Sequence, residues 1–254
     1  MKRKGLACIA AILLSITQTS AIAETTGLRI MSYNIRNCIG MDERVDLHRT
    51  AAVIDSLDAD VVAIQEVDSV TSRSQGRDIL KELGALTGMG HRFAPAIEFD
   101  GGKYGIGILF KKTPAGYKQI ALPGREESRT MLIAEFDDYV FACTHLSLTD
   151  EDRSASAELI RQESAKYDKP FIIAGDLNSC PEDDFTAGFC RNFTIISPTK
   201  GATYPADNPT DLIDYIAIEN SFADKIMIEK REIVNQPAAS DHRPIIVEIK
   251  PVWF

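Results

Sequence analysis

Phe171-Ile172-Ile173-Ala174-Gly175-Asp176-Leu177-Asn178 decides how this chain is read. Four apolar residues followed by a turn former describe a buried strand that stops at a polar tip. The strand period of two sends the Asp176 and Asn178 side chains the same way and returns Leu177 to the core. A carboxylate beside a carboxamide at a strand end can face water and a phosphate together. Taken alone, the stretch has an equally good structural role. Asp-Leu-Asn-Ser turns the chain, with Ser179 as the N-cap and Pro181 in the first turn of a following helix. What tips the balance is four further polar clusters at the ends of similar strands.

Toward the N-terminus, Leu28 to Ile35 reads as a strand ending in Asn34, Arg36 and Asn37. Asp46 then caps a helix with Leu47, Ala51, Ile54 and Leu57 at helical spacing. Val61-Val62-Ala63-Ile64 is a second buried strand, ending at Gln65-Glu66, and Ile79 to Leu86 is a helix closed by Gly88. Strand, helix, strand, helix is the alternation of layered α/β folds. Arg92–Ile97, Gly105–Phe110, Thr130–Phe136 and Tyr139–His145 are strands with short links, and Asp137-Asp138 joins the last two as a hairpin. Thr149 with Asp152 forms a capping box for a helix to about Lys166. Beyond the central stretch lie a short helix, then strands at Thr194–Ile196, Ile213–Ile218 and Ile245–Ile249, the last just after Ser240-Asp241-His242. No fixed-period repeat, linker or low-complexity stretch interrupts the pattern, which is that of one domain with two β-rich halves.

The first residues are set apart by composition. Met1-Lys2-Arg3-Lys4, the apolar run Leu6–Ile16 and Ala21-Ile22-Ala23 have the form of a secretory signal peptide, residues 1–23. The apolar run is about half of the roughly 20 residues a membrane span needs. The expectation is an exported chain from Glu24, periplasmic or extracellular, with no transmembrane segment and monomeric. Without Lys2, Arg3 and Lys4 the chain has 25 basic against 37 acidic residues, a formal charge of −12. That disfavours sequence-independent nucleic-acid binding, which relies on cations against phosphates. It leaves room for a phosphate substrate bridged by a divalent ion. Export permits disulfides: Cys143, in mid-strand, reads as a buried thiol, while Cys180 could pair with Cys190 or with Cys38. No ligand spacing suggests zinc.

Asn34, Glu66, His145, Asp176 with Asn178, and Asp241 with His242 thus sit at strand ends far apart in sequence. Singly, each has a plain role: a turn cap, a surface ion pair, a hydrogen-bonded core histidine. Together they supply oxygen ligands for a hard divalent cation, a base for water, and donors for phosphoryl oxygens.

Asn34, Gln65-Glu66, Thr144-His145-Leu146, Gly175-Asp176-Leu177-Asn178, Ile213-Asp214-Tyr215-Ile216 and Ser240-Asp241-His242 resemble, in order, the motif set of the endonuclease/exonuclease/phosphatase superfamily. Its members include pancreatic deoxyribonuclease, neutral sphingomyelinases and inositol polyphosphate 5-phosphatases. The resemblance covers residues 28 to 249 and makes 24–254 the catalytic domain. It implies an α/β fold, a four-layer sandwich of two central mixed β-sheets flanked by helices. It also implies a secreted bacterial-type phosphoesterase with Glu66 as the main Mg²⁺ ligand, Asn34 and Asp241 beside it, and Mn²⁺ able to substitute. In the same resemblance Asp176 activates water, Asn178 binds phosphate, Asp214 fixes the ring of His242, and both His242 and His145 contact the phosphate. Tyr104 sits where many members place a Tyr or Glu near the phosphate, and a packed aromatic is its plain alternative. Arg36 and Arg129 read first as structural ion pairs, with contact to a substrate phosphate as the alternative, and Arg153 as a solvated helix residue; His48 and His91 have no motif context. The substrate expected is a phosphodiester or phosphomonoester of a small molecule or lipid headgroup, ahead of DNA or RNA. An inactive binding module is the reading from another class, and against it none of the expected positions is lost.

Overall fold

The computed structural model describes residues 27–252, so the expected signal peptide and its cleavage site lie outside the described residues. Among the described residues twelve strands form two six-stranded mixed sheets. The first contains β1 (Leu28–Asn34), β2 (Val61–Ser69), β3 (Gly90–Phe99), β4 (Gly102–Phe110), β11 (Ile226–Ile233) and β12 (Ile245–Pro251), in the order β11-β12-β1-β2-β4-β3. The second contains β5 (Gly116–Leu122), β6 (Arg129–Glu135), β7 (Val140–His145), β8 (Phe171–Asp176), β9 (Phe193–Ile195) and β10 (Asp214–Glu219), in the order β5-β6-β7-β8-β10-β9. Helices α1 (Leu47–Leu57) and α2 (Ile79–Thr87) lie in the first half, α3 (Asp150–Ser164) and α4 (Asp184–Phe189) in the second.

Strand alternation builds the four layers. Ile30, Val61, Ala63, Leu132, Phe141, Cys143, Ile172, Ala174, Ile216 and Val247 meet in one core between the sheets. Their chain neighbours point outward. Met31, Val62 and Ile64 pack beneath Leu47, Ile54, Leu80 and Leu83 of α1 and α2. Met131, Ile133, Ala142, Ile173 and Ala217 pack beneath Ile160, Phe185 and Phe189 of α3 and α4. A sheet buried on both faces needs continuous apolar strands, which is why β2 and β8 carry unbroken runs. Asp46 caps α1 through a bond from the Arg49 N–H, and Gly88 closes α2 in the left-handed conformation, both as the sequence predicts.

The sheets share a plan. Each has one parallel pair at its centre, β1 with β2 and β7 with β8, flanked by antiparallel neighbours. The polar ends of both parallel pairs reach the same rim. Gly175 makes one of these pairs possible: a Cβ there would lie 2.0 Å from the Thr144 carbonyl oxygen.

Several expectations need correction. The strands β5 and β11, which carry no strand signal in the sequence, are edge strands. Ser179 is not an N-cap, because α4 starts later with Asp183 as its cap, and the Ser179 hydroxyl donates to Asp183 Oδ2 instead. Thr149 does sit at the N-cap of α3 but makes no cap bond: its hydroxyl donates to Glu126 Oε2, and Asp152 is turned to Arg125. Arg153 is buried rather than solvated, donating to the Ser147 carbonyl, pairing with Asp150, and lying 5.7 Å from the Phe185 ring centroid. Cys38, Cys143, Cys180 and Cys190 are all free thiols. Among the described residues no helix is long and apolar enough to cross a membrane.

Candidate active site

Three of the sequence-singled residues lie on one rung of the second sheet. His145 at the end of β7 is the register partner of Asp176 at the end of β8, and Asp176 is the partner of Asp214 at the start of β10. In the first sheet Asn34 at the end of β1 pairs in register with Gln65. The next residue, Glu66, interrupts the β2–β4 register in a bulge with φ 57°. A bulge re-aims a side chain, here taking Glu66 out of the core and into the cleft between the sheet ends.

Asp176 Oδ2 is the centre of the polar cluster. Asn34 Nδ2 donates to it at 3.1 Å and to Glu66 Oε1 at 3.0 Å, so one amide ties the two sheets together. The Asn34 amide oxygen accepts from the Arg36 N–H at 3.2 Å. His145 Nε2 stands 3.6 Å and His242 Nε2 3.7 Å from the same Asp176 oxygen. Asp176 Oδ1 accepts the Asn178 N–H at 2.9 Å. Asn178 adopts a left-handed conformation, φ 50°, which Asn tolerates in such a turn, and its side-chain amide donates to the Leu146 carbonyl at 2.9 Å. Leu177 is buried while Asp176 and Asn178 line the cleft, but β8 ends at Asp176, so the left-handed turn rather than strand alternation aims the Asn178 side chain.

His242 enters from the loop before β12. Its Nδ1 lies 2.9 Å from Asp214 Oδ2, and its Nε2 faces Asp176. Burial opposes protonation of His242. The charge and hydrogen bond of Asp214, with the charges of Asp176 and Asp241, outweigh it and push the pKa up to about 10. Asp176 is raised to about 7 by burial and by the Asp214 charge, against the pull of His242 and its own hydrogen bonds. Burial, then the charges of Arg129 and His242, hold His145 well below the ordinary imidazole value, so it is neutral. The two histidines therefore carry different protonation on the same carboxylate.

Asp176, Asp214 and His242 place one ligand atom each within 4.8 Å of one another. Because Nδ1 of His242 is spent on Asp214, this closeness is that of a hydrogen-bonded carboxylate–imidazole pair. Glu66 and Asp241 are a better match to a hard cation. Both line the cleft, and burial raises the Glu66 pKa, the Asp241 charge adding to it against the Asn34 bond. Two carboxylates brought together at a cleft suit a divalent ion with oxygen ligands.

The cleft has a volume of about 320 Å³ and brings together every candidate except Asn34 and Asp214, which lie beneath its floor. Tyr104 lines it too, its phenol kept neutral by burial and by the charges of Glu66 and Glu127. Four lining residues were not singled out as substrate contacts in the sequence: Glu127, Leu148, Tyr204 and Ile213. Arg129 also lines it, paired with Glu127 at 3.1 Å. Arg36 pairs with Glu43 at 2.9 Å and stands 3.7 Å from Asp241. His48 and His91 are exposed elsewhere. Tyr204 gives no sequence signal, being in an irregular loop with Pro205 and Pro209, yet its ring centroid lies 4.9 Å from that of His242.

The family model described as "Endonuclease/Exonuclease/phosphatase family" matches residues 31–242. No curated protein matches the sequence. Among solved structures, an endonuclease/exonuclease/phosphatase from Bacteroides vulgatus is similar with a TM-score of 0.73 at 18% identity, over 89% of this chain and 99% of that one. A mannosyl-6-phosphatase from Bacteroides thetaiotaomicron gives 0.69 at 17%, over 87% and 99%. The human Nocturnin catalytic domain with bound sulfate anion gives 0.69 at 17%, over 89% and 94%. At such identities the likeness is one of fold.

Proposed function

Since the chain belongs to the endonuclease/exonuclease/phosphatase family, whose members are metal-dependent phosphoester hydrolases, we propose that it is an exported, Mg²⁺-dependent phosphoesterase acting on a small-molecule or lipid-headgroup phosphoester. The observation that carries this reading is the Asp176 carboxylate set between a charged and a neutral histidine at the floor of a cleft. Asp176 takes the proton of the attacking water, and a base titrating near neutrality suits that task. His242, protonated and held by Asp214, presents Nε2–H to a phosphoryl oxygen where charge accumulates. Neutral His145 and the second N–H of the Asn178 amide donate to the other oxygens.

Glu66 and Asp241 hold the cation, with Mn²⁺ able to replace Mg²⁺, and Asn34 positions the Glu66 carboxylate through its amide. A divalent ion supplies Lewis-acid charge against the phosphoryl oxygens. The formal charge of −12 outside the leader speaks against a polyanionic nucleic-acid substrate. Hydrolysis of bis-p-nitrophenyl phosphate tests the reading. Turnover is expected with Mg²⁺ and none with EDTA; EDTA-insensitive release or no release at all would overturn it.

A further inference from the structure

The cleft has walls that the hydrolytic chemistry does not use. We propose that these walls recognise an apolar ester arm on a phosphate that bears no second anionic group nearby. This rests on the phosphoesterase reading and names its substrate class.

Leu148 is the first observation. It lines the cleft and is 65% exposed. Loose chain does not explain the exposure, because the backbone is tied down. The Leu148 N–H and the Ser147 hydroxyl each donate to Glu126 Oε1 at 2.6 Å, and the Thr149 N–H donates to Ser147 Oγ at 3.0 Å. A single exposed leucine is ordinary; this one carries weight because it shares the cleft with Tyr204 and Ile213, which together make an apolar wall. Tyr204 is the second. It is 37% exposed, and its ring is tilted 44° against that of His242. An ester arm on a phosphate held by His242 therefore meets the Tyr204 ring, with Ile213 also lining the wall.

Charge is the third, independent observation. Among the described residues Arg129 is the one lysine or arginine lining the cleft, and it is already neutralised by Glu127 at 3.1 Å and flanked by Glu126 at 3.8 Å. A second phosphate or a carboxylate would have to displace Glu127 and sit among further acids. An apolar arm meets no such penalty, so the same walls favour one class and repel the other.

The test uses phosphodiesters that share p-nitrophenoxide as the leaving group and differ in the other arm: methyl, hexyl, phenyl or 2-carboxyethyl. With Mg²⁺, kcat/KM for the hexyl or the phenyl diester is expected to exceed that for methyl by about tenfold, as filling an apolar pocket does, with carboxyethyl below methyl. Preference for hexyl assigns the arm to an alkyl chain and preference for phenyl to a ring; either supports the proposal. In Leu148→Ser/Tyr204→Ser the apolar-to-methyl ratio is expected to fall to about one. The ratio is taken within one preparation, so any loss of folded protein cancels. Equal kcat/KM for all four arms, or a ratio unchanged in the variant, would overturn the proposal while leaving the hydrolase reading intact. Release from none of the four would overturn both.

Discussion

Asp176 and Asp214 are cross-strand partners in the antiparallel pair of β8 and β10, two buried carboxylates directly opposite one another. Like charges so placed destabilise a sheet. His242 resolves the conflict by standing between them, 2.9 Å from Asp214 and 3.7 Å from Asp176. The arrangement is costlier still without the imidazolium, and even with it Asp176 stays raised to about 7, which binds the stability of this rim to the protonation that the chemistry needs.

The first prediction is non-additivity. His242→Ala removes the donor to the phosphoryl oxygen and should lower kcat by about 10²-fold or more. Asp214→Ala acts through the same ring, so adding it to His242→Ala should cost little further. Steady-state kinetics of both single variants and the double decide this. Multiplying losses would mean that Asp214 does not work through His242.

The second concerns pH. The folded-state pKa of His242, about 10, lies above the ordinary imidazole value of about 6.5, so protonation favours the folded state. That contribution is complete below about pH 6.5 and is lost as pH rises toward 10. The raised Asp176 carboxyl acts in the same direction over a lower window, from about 4 to about 7. Urea unfolding of the metal-free protein should therefore show stability falling from pH 6.5 to 10, and NMR titration should place one imidazole near 10. A histidine ring at this site titrating near 6.5 would contradict the pairing with Asp214.

The third concerns metal. Glu66→Gln removes one negative charge from the cleft but keeps the Asn34 contact possible. Calorimetric titration with Mg²⁺ should show affinity lowered by at least about tenfold with the melting temperature little changed. Unchanged affinity would remove Glu66 from the ligand set.

Much of this was legible in the sequence because the site residues end strands that are apolar on both faces. Such runs are visible, and so are the polar residues that stop them. The edge strands β5 and β11 were not legible. Tyr117-Lys118-Gln119 and Glu229-Lys230-Arg231 put exposed polar residues where a buried strand would be apolar, as edges commonly do. Arg153 misled because a helix pattern does not reveal that a long side chain lies over Phe185. Tyr204 and Leu148 reach the cleft through loops, where no periodicity tells which way a side chain faces.

The fourth prediction comes from backbone packing. Gly175→Ala would drive a Cβ into the Thr144 carbonyl oxygen, on the rung beside His145 and Asp176. Overpacking of this kind costs about 1–3 kcal/mol, and here it should also spread the catalytic rung. Denaturant unfolding and kcat should both fall; a fully stable, fully active variant would show that the two strands can move apart freely.

The most direct test of the account is Asp176→Asn, assayed on bis-p-nitrophenyl phosphate at saturating Mg²⁺. The change keeps the size of the side chain and removes its capacity to take a proton from water, together with the charge it presents to His242. If Asp176 is the base, kcat should fall by about 10²–10⁴-fold with KM altered far less. A kcat within about threefold of the parent would contradict the assignment of Asp176, and with it the role given to the rung of His145, Asp176 and Asp214.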